Sequence, residues 1–181
     1  RINPKTNIGS RTRFYTGMKV MKVGKDEEAR AVSGLPDEAR IANLSWSPDE
    51  SKIAFTHTHA EGTELWYLDL KKAQASRLLG PVLNANMGSV LRWFNDGKSL
   101  LVKTLDTDRK SLIDTEEAVP TGPIVSENAG QKAQNRTYQD LLKTPDDEYN
   151  FELLASSELI QVDLKGEQTP FLPLAMYGGI S

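Results

Sequence analysis

The chain has 181 residues, of which 38% are hydrophobic and 26% charged, enough for one good-sized domain with a proper core. A formal net charge of −3 with no basic block excludes the electrostatic footprint of a nucleic-acid binder, and no run approaches the roughly 18–20 apolar residues of a membrane helix. With no cysteine, disulfides and thiolate metal sites are excluded, while the compartment stays open.

Residues 1–13 (RINPKTNIGSRTR) are polar and broken by Pro, Gly and Asn, and predict an irregular lead-in. The arginines and lysines up to Lys19 read as a solvated edge rather than a binding strip. RFYTGMKVMKV (13–23) followed by GKDEEARAVSGLP (24–36) predicts two strands around a charged turn. Which of Met18, Val20, Met21 and Val23 face inward is ambiguous at this level.

Residues 40–80 are more regular. IANLSW is a first short strand. SPDES is a turn in which Pro48 presets φ and Asp49 can hydrogen-bond its own backbone. KIAFTHT is a second strand, AEGT turns the chain again, ELWYLDL is a third strand and ASRLLG a weaker fourth. PVLNANMG (81–88) reads as a connector.

The pattern then repeats. LSWSPDESKIAF (44–55) aligns without gaps on LRWFNDGKSLLV (91–102), 47 residues further on, with Leu, Trp and the turn Asp shared. LWYLDLKK (65–72) matches LIQVDLKG (159–166), 94 residues on. Four short strands in about 40 residues, recurring at that period, are the signature of four-stranded propeller blades. The expected fold is therefore all-β, a partial β-propeller of about two to three TolB/WD40-like blades with a short helical insertion. Residues 13–36 would end a preceding blade, 40–80 form a complete one, and 89–174 form a second carrying an insertion at about 104–157. Residues 175–181 would open another. All of this lies in one N-terminal propeller domain, so the chain reads as a fragment of a larger protein.

The insertion has two parts. Residues 104–136 are polar and rich in Pro, Gly, Asn and Asp, and predict a long surface excursion. RTYQDLLKTPDDEYNFELLASSEL (136–159) regains helical spacing, with Thr137 as a cap before YQDLLK. Thr144-Pro145-Asp146-Asp147 is a second helix start. Tyr138, Leu141 and Leu142 share one side, as do Glu148, Phe151, Leu154 and Ala155 less cleanly.

Motifs for catalysis are missing. There is no GxSxG elbow, Walker loop, GxGxxG or HExxH. The only histidines, His57 and His59, stand at i and i+2 on a strand, so both imidazoles share a face, as some zinc sites require. Glu61 or Glu64 would be the third ligand. Without a further ligand cluster the pair reads as half-exposed strand-end histidines, and no metal or other cofactor is expected. Asp146, Asp147 and Glu148 are explained by a helix N-terminus. Trp46 and Trp93 hold equivalent positions and read as core. The sequons Asn43-Leu44-Ser45 and Asn135-Arg136-Thr137 read as chance matches.

LSWSPDESKIAF followed by ELWYLDL resembles the N-terminal propeller of prolyl oligopeptidase-family serine peptidases. The insertion, with PTGP, a polar spacer and RTYQDLL before the strand, resembles the glutamyl endopeptidase-like (dipeptidyl aminopeptidase-like) branch, as does RINPKTN. This likeness covers essentially the whole chain. It implies a C-terminal α/β-hydrolase domain of the same polypeptide with a Ser-Asp-His triad, absent from this chain, and peptide substrates reached past the propeller. No catalytic residue is carried over, and no substrate-binding residue can be named. The implied parent is a periplasmic or secreted serine peptidase, with self-association of the fragment as one way to cover open sheet edges. The rival reading is a non-enzymatic TolB/WD40-like propeller that binds a protein partner.

Overall fold

The computed structural model describes residues 2–24, 28–114, 142 and 144–180. The chain divides into two compact units, residues 1–109 with 154–181, and residues 110–153.

The first unit opens with β1 (Ile2–Asn3) and β2 (Ile8–Gly9), an antiparallel hairpin where an irregular lead-in was expected. Asn3 Oδ1 ties its turn by accepting the N–H groups of Lys5 and Thr6 at 3.0 and 3.2 Å. Asn7 and Ile8 are buried, and the Asn7 carbonyl accepts from Ala85 N at 2.8 Å. The strands expected within 13–36 shrink to β3 (Lys19–Val20) and β4 (Arg30–Ala31). Met18 and Val20 pack inward while Met21 and Val23 are exposed, which settles the faces.

Two four-stranded antiparallel sheets follow. The first runs in chain order through β5 (Ile41–Trp46), β6 (Lys52–His59), β7 (Gly62–Asp69) and β8 (Gln74–Leu79). The second is built from β9 (Leu91–Trp93), β10 (Ser99–Thr104), β11 (Ser156–Asp163) and β12 (Gln168–Met176), again meandering from β9 to β12. The all-β, blade-type reading holds, with no sheet closing on itself among the described residues. The turn chemistry is as read: Asp49 accepts from the Ser47 hydroxyl (2.6 Å), the Ser51 hydroxyl (2.7 Å) and Ser51 N–H (3.2 Å). These bonds hold its carboxyl well below the usual carboxylate range. The stretch 81–88 is less of a surface connector than expected, since Leu83 and Asn84 are fully buried and Leu83 N–H donates to Thr63 O at 3.0 Å.

Period-two alternation divides each strand between two cores. On one face of the first sheet, Ile53, Phe55 and Leu68 pack with Ala39, Ile41 and Ala75 against Met18, Val20, Val32 and Leu35. On the other, Ala54, Leu65 and Leu79 meet Trp93, Leu100, Val102 and Val162 of the second sheet. Full burial of each such aliphatic side chain contributes roughly 1.5–3 kcal/mol.

The register makes the repeat visible. Trp46 pairs with Ile53 and Ile53 with Leu68, just as Trp93 pairs with Leu100 and Leu100 with Val162. Both tryptophans were expected in the core. Trp93 is there, 6% exposed, its indole N–H donating to Ser45 O at 3.0 Å. Trp46 is not: it is 59% exposed, at the end of edge strand β5, beyond the reach of the Met18, Val20, Val32 and Leu35 side chains that cover Ile53 and Leu68 on the same face.

In the second unit the described residues are 110–114, 142 and 144–153. Helix α1 (Pro145–Ala155) starts where expected and runs on into the first unit. Thr144 Oγ1 accepts Asp147 N–H and Asp147 Oδ2 accepts Thr144 N–H, both at 3.1 Å, a reciprocal cap. Of the residues read as sharing one side, Glu148, Phe151, Leu154 and Ala155, only Ala155 is buried. Asn150 clasps Ile113 through two 2.8 Å hydrogen bonds. PTGP, the Thr137 cap and the Asn135 sequon lie outside the described residues.

Candidate functional site

A polar cluster with an outlet to solvent sits at the end of the first sheet, around the β6–β7 hairpin. A two-residue turn, Ala60-Glu61, joins His59 to Gly62. Gly62 has φ 150°, and a Cβ there would meet the Pro81 carbonyl oxygen at 2.9 Å, so the hairpin can lie against Pro81 only with glycine in that place.

Register brings the charged groups together. His57 faces Glu64, Phe55 faces Trp66, and Trp66 faces Arg77 across β7–β8. The Glu64 carboxylate, 6% exposed, accepts the Trp66 indole N–H at 2.8 Å and an Arg77 N–H at 3.0 Å. His59 Nε2 lies 3.5 Å from the same oxygen that Arg77 holds. The imidazoles of His57 and His59 stack at 5.8 Å, and His57 meets the Trp66 ring edge-on at 6.2 Å.

The ring nitrogens are largely spoken for. His57 Nδ1 accepts Arg40 N–H at 3.2 Å, and His59 Nδ1 accepts Glu61 N–H at 3.3 Å. His57 is buried, and burial pushes its pKa below the ordinary histidine value against the opposing pull of Glu64; His59 and Arg40 push the same way as burial. A neutral His57 suits its role as acceptor from the main chain.

Of the two acids weighed as a third ligand, Glu64 lies beside the histidines and is held in a hydrogen-bonded clamp; the histidines, expected to be half-exposed, differ, since His57 is buried. Glu64 is bound by Arg77 and Trp66, and Glu61 contributes its main-chain N–H to His59. Among the described residues no group of three or more His, Asp or Glu side chains is disposed to hold a metal ion. Asp146, Asp147 and Glu148 lie in the first turn of α1, in the second unit. Asn43, of the described sequon, sits in β5 with φ 51° and donates to Thr56 Oγ1 at 3.0 Å.

Trp66 and Arg77 were not singled out from sequence. The two-residue spacing of Glu64 and Trp66 on one strand could have flagged the first of them. Lys103 was missed as well. It stands in the apolar run of β10, is fully buried, and donates to the carbonyls of Met87 and Tyr177, with burial lowering its pKa. Chemically, the hairpin cluster is equipped to hold a strand end in place and to present the half-exposed Arg77 guanidinium.

Taken together, the two blade-type sheets and their repeat define the chain as part of a β-propeller. No family model matches the chain. In sequence it is similar to a protein of Oryza sativa subsp. japonica named probable glutamyl endopeptidase, chloroplastic, 33% identical over 193 aligned residues that take in 99% of this chain and 20% of that one. The Arabidopsis thaliana protein of the same name is 31% identical, over 92% of this chain and 18% of its own length. The chain thus spans about a fifth of the length of the curated relatives it matches. Among solved structures, TolB from Acinetobacter baumannii aligns over 81% of this chain and 24% of its own, with a TM-score of 0.40 and 16% identity. Pyrococcus horikoshii acylaminoacyl peptidase aligns over 71% and 17%, at 0.39 and 19%. The resemblance read from the sequence holds to this extent: nearly the whole chain is similar to a segment of two plant proteins named glutamyl endopeptidase.

Proposed function

We propose that this chain is the non-catalytic propeller portion of a serine peptidase, gating or positioning peptides for a C-terminal α/β-hydrolase domain of the same polypeptide. The observation that carries the reading is the match of 99% of the chain to one fifth of a relative named a glutamyl endopeptidase. A propeller that adds no nucleophile acts on the reaction through access and orientation, which raise the effective concentration of a correctly placed peptide bond. The attacking serine, its histidine base and the oxyanion donors would all come from the hydrolase domain.

Fluorophosphonate labelling of the intact gene product, beside the 181-residue chain, tests this. Label on the intact protein and none on the chain is the expected result, with peptides cleaved after Glu as the next assay. A folded intact protein that takes no label would sink the peptidase reading and favour a propeller that binds a protein partner.

A further inference from the structure

We propose that His57 is an acid-sensitive latch: its neutral imidazole fastens the start of β5, and protonating it lets residues 14–15 and 40–41 loosen together. The inference stands on the hairpin cluster alone and holds whether or not the parent is a peptidase.

Donors and acceptors set the argument. His57 Nδ1 accepts the Arg40 main-chain N–H at 3.2 Å. An imidazolium carries a proton on both nitrogens and has no acceptor left, so the charged ring would turn an N–H toward an N–H. The donor is a main-chain group and cannot reverse its role. The bond and the charged ring therefore exclude one another.

Neighbouring contacts show what the bond fastens. The Arg40 carbonyl accepts Thr58 N–H at 3.0 Å, and Ile41 exchanges two 2.9 Å hydrogen bonds with Tyr15. The Arg40 guanidinium lies over the Phe14 ring, 4.4 Å from its centroid. Residues 14–15 and 40–41 thus hang on the end of β6 that His57 occupies.

The charged and titratable groups facing His57 among the described residues are His59 on β6, Glu64 on β7, Arg40 ahead of β5 and, through Glu64, Arg77 on β8. Glu64 is the one carboxylate of the set and favours the imidazolium. It is already engaged by the Trp66 indole and Arg77, and one of its oxygens lies 3.5 Å from His59 Nε2. Arg40 and His59 oppose the charge, and burial opposes it most, since His57 is only 5% exposed. The folded pKa is thereby depressed, so the latch's contribution is present above about pH 6.5 and is lost as the pH falls below it. In the second sheet the residue 47 positions on is Thr104, which carries no titratable group, so β10 serves as an internal reference.

Amide hydrogen exchange of the intact gene product, read at residue level by mass spectrometry, tests this between about pH 7.5 and about pH 5.5. After correction for the intrinsic rate, the Arg40 amide should lose protection about tenfold per pH unit below about pH 6.5, because opening takes up one proton. The amides of β10 should keep theirs. His57→Asn places a carbonyl oxygen about where Nδ1 stood, accepts the same N–H and cannot be protonated, so it should remove the pH dependence. Deuterium exchange at the imidazole Cε1, which needs no variant, should give His57 a midpoint below about pH 6.5. Arg40 protection that stays flat over the range, or falls in step with β10, overturns the proposal. So does an unchanged slope in folded His57→Asn, or a His57 midpoint at or above the ordinary histidine value. Should His57→Asn not fold, the slope and the midpoint of the unmodified protein decide.

Discussion

The two four-stranded sheets share strand order, turn chemistry and a Trp–aliphatic–aliphatic row, yet one tryptophan is sealed and the other stands in solvent. A side chain's burial in a stacked-sheet protein belongs to the neighbour as much as to its own sheet. Trp93 finds a whole sheet against it; Trp46 stands beyond the side chains that cover Ile53 and Leu68. The comparison extends to polar positions. Glu64 is clamped by Trp66 and Arg77, while its counterpart Glu158, 94 residues on, has no such pair of donors among the described residues.

The tryptophans offer the largest test. In the 181-residue chain, Trp93→Ala should cost about 3–5 kcal/mol by urea unfolding, the usual range for emptying a buried aromatic site. Trp46→Ala should cost less than about 1 kcal/mol, since it removes mostly exposed surface. Equal losses would mean that Trp46 is already covered in the isolated chain.

A smaller effect separates the two glutamates. Glu64→Gln should destabilise by about 1–2 kcal/mol, because charge-assisted bonds from Trp66 and Arg77 weaken, and half-exposed Arg77 retains some solvation. Glu158→Gln should stay within about 0.5 kcal/mol, as for an ordinary partly exposed site. Matching urea midpoints for the two variants would show that the clamp contributes nothing specific.

The smallest effect is at the turns. Asp49 accepts three hydrogen bonds, whereas its counterpart Asp96 is held by Lys98 N–H at 3.0 Å. Asp49's folded carboxyl titrates below the unfolded value of about 3.9, so its stabilising contribution is present above about pH 4 and is lost as the pH falls through that range. Melting temperatures followed from neutral pH downward should therefore drop less steeply for Asp49→Asn than for the unmodified chain. Asp96→Asn should change the slope less. A steeper acid loss in Asp49→Asn would contradict the assignment.

Much of this was legible before the structure. The 47-residue offset paired Trp46 with Trp93. Pro48 and Asp49 announced their turn, and Thr144-Pro145 announced α1. The face shared by His57 and His59 followed from a period of two. What the imidazoles do there did not, because Arg40, 17 residues before His57, supplies the main-chain donor that settles it. Arg77 was equally hidden: it reaches Glu64 only because β7 and β8 pair with a register shift between Leu65 and Trp66.

Local chemistry, then, was written in the sequence by itself: period-two strands, their turns, the repeat that makes blades, and the resemblance to a peptidase branch. These depend on residues within a few positions of one another or on patterns that recur. Only the tertiary structure decided which faces are sealed, as for Trp93 against Trp46 and for fully buried Lys103. Burial is set by what packs on a sheet from elsewhere, and adjacent residues carry no record of that neighbour.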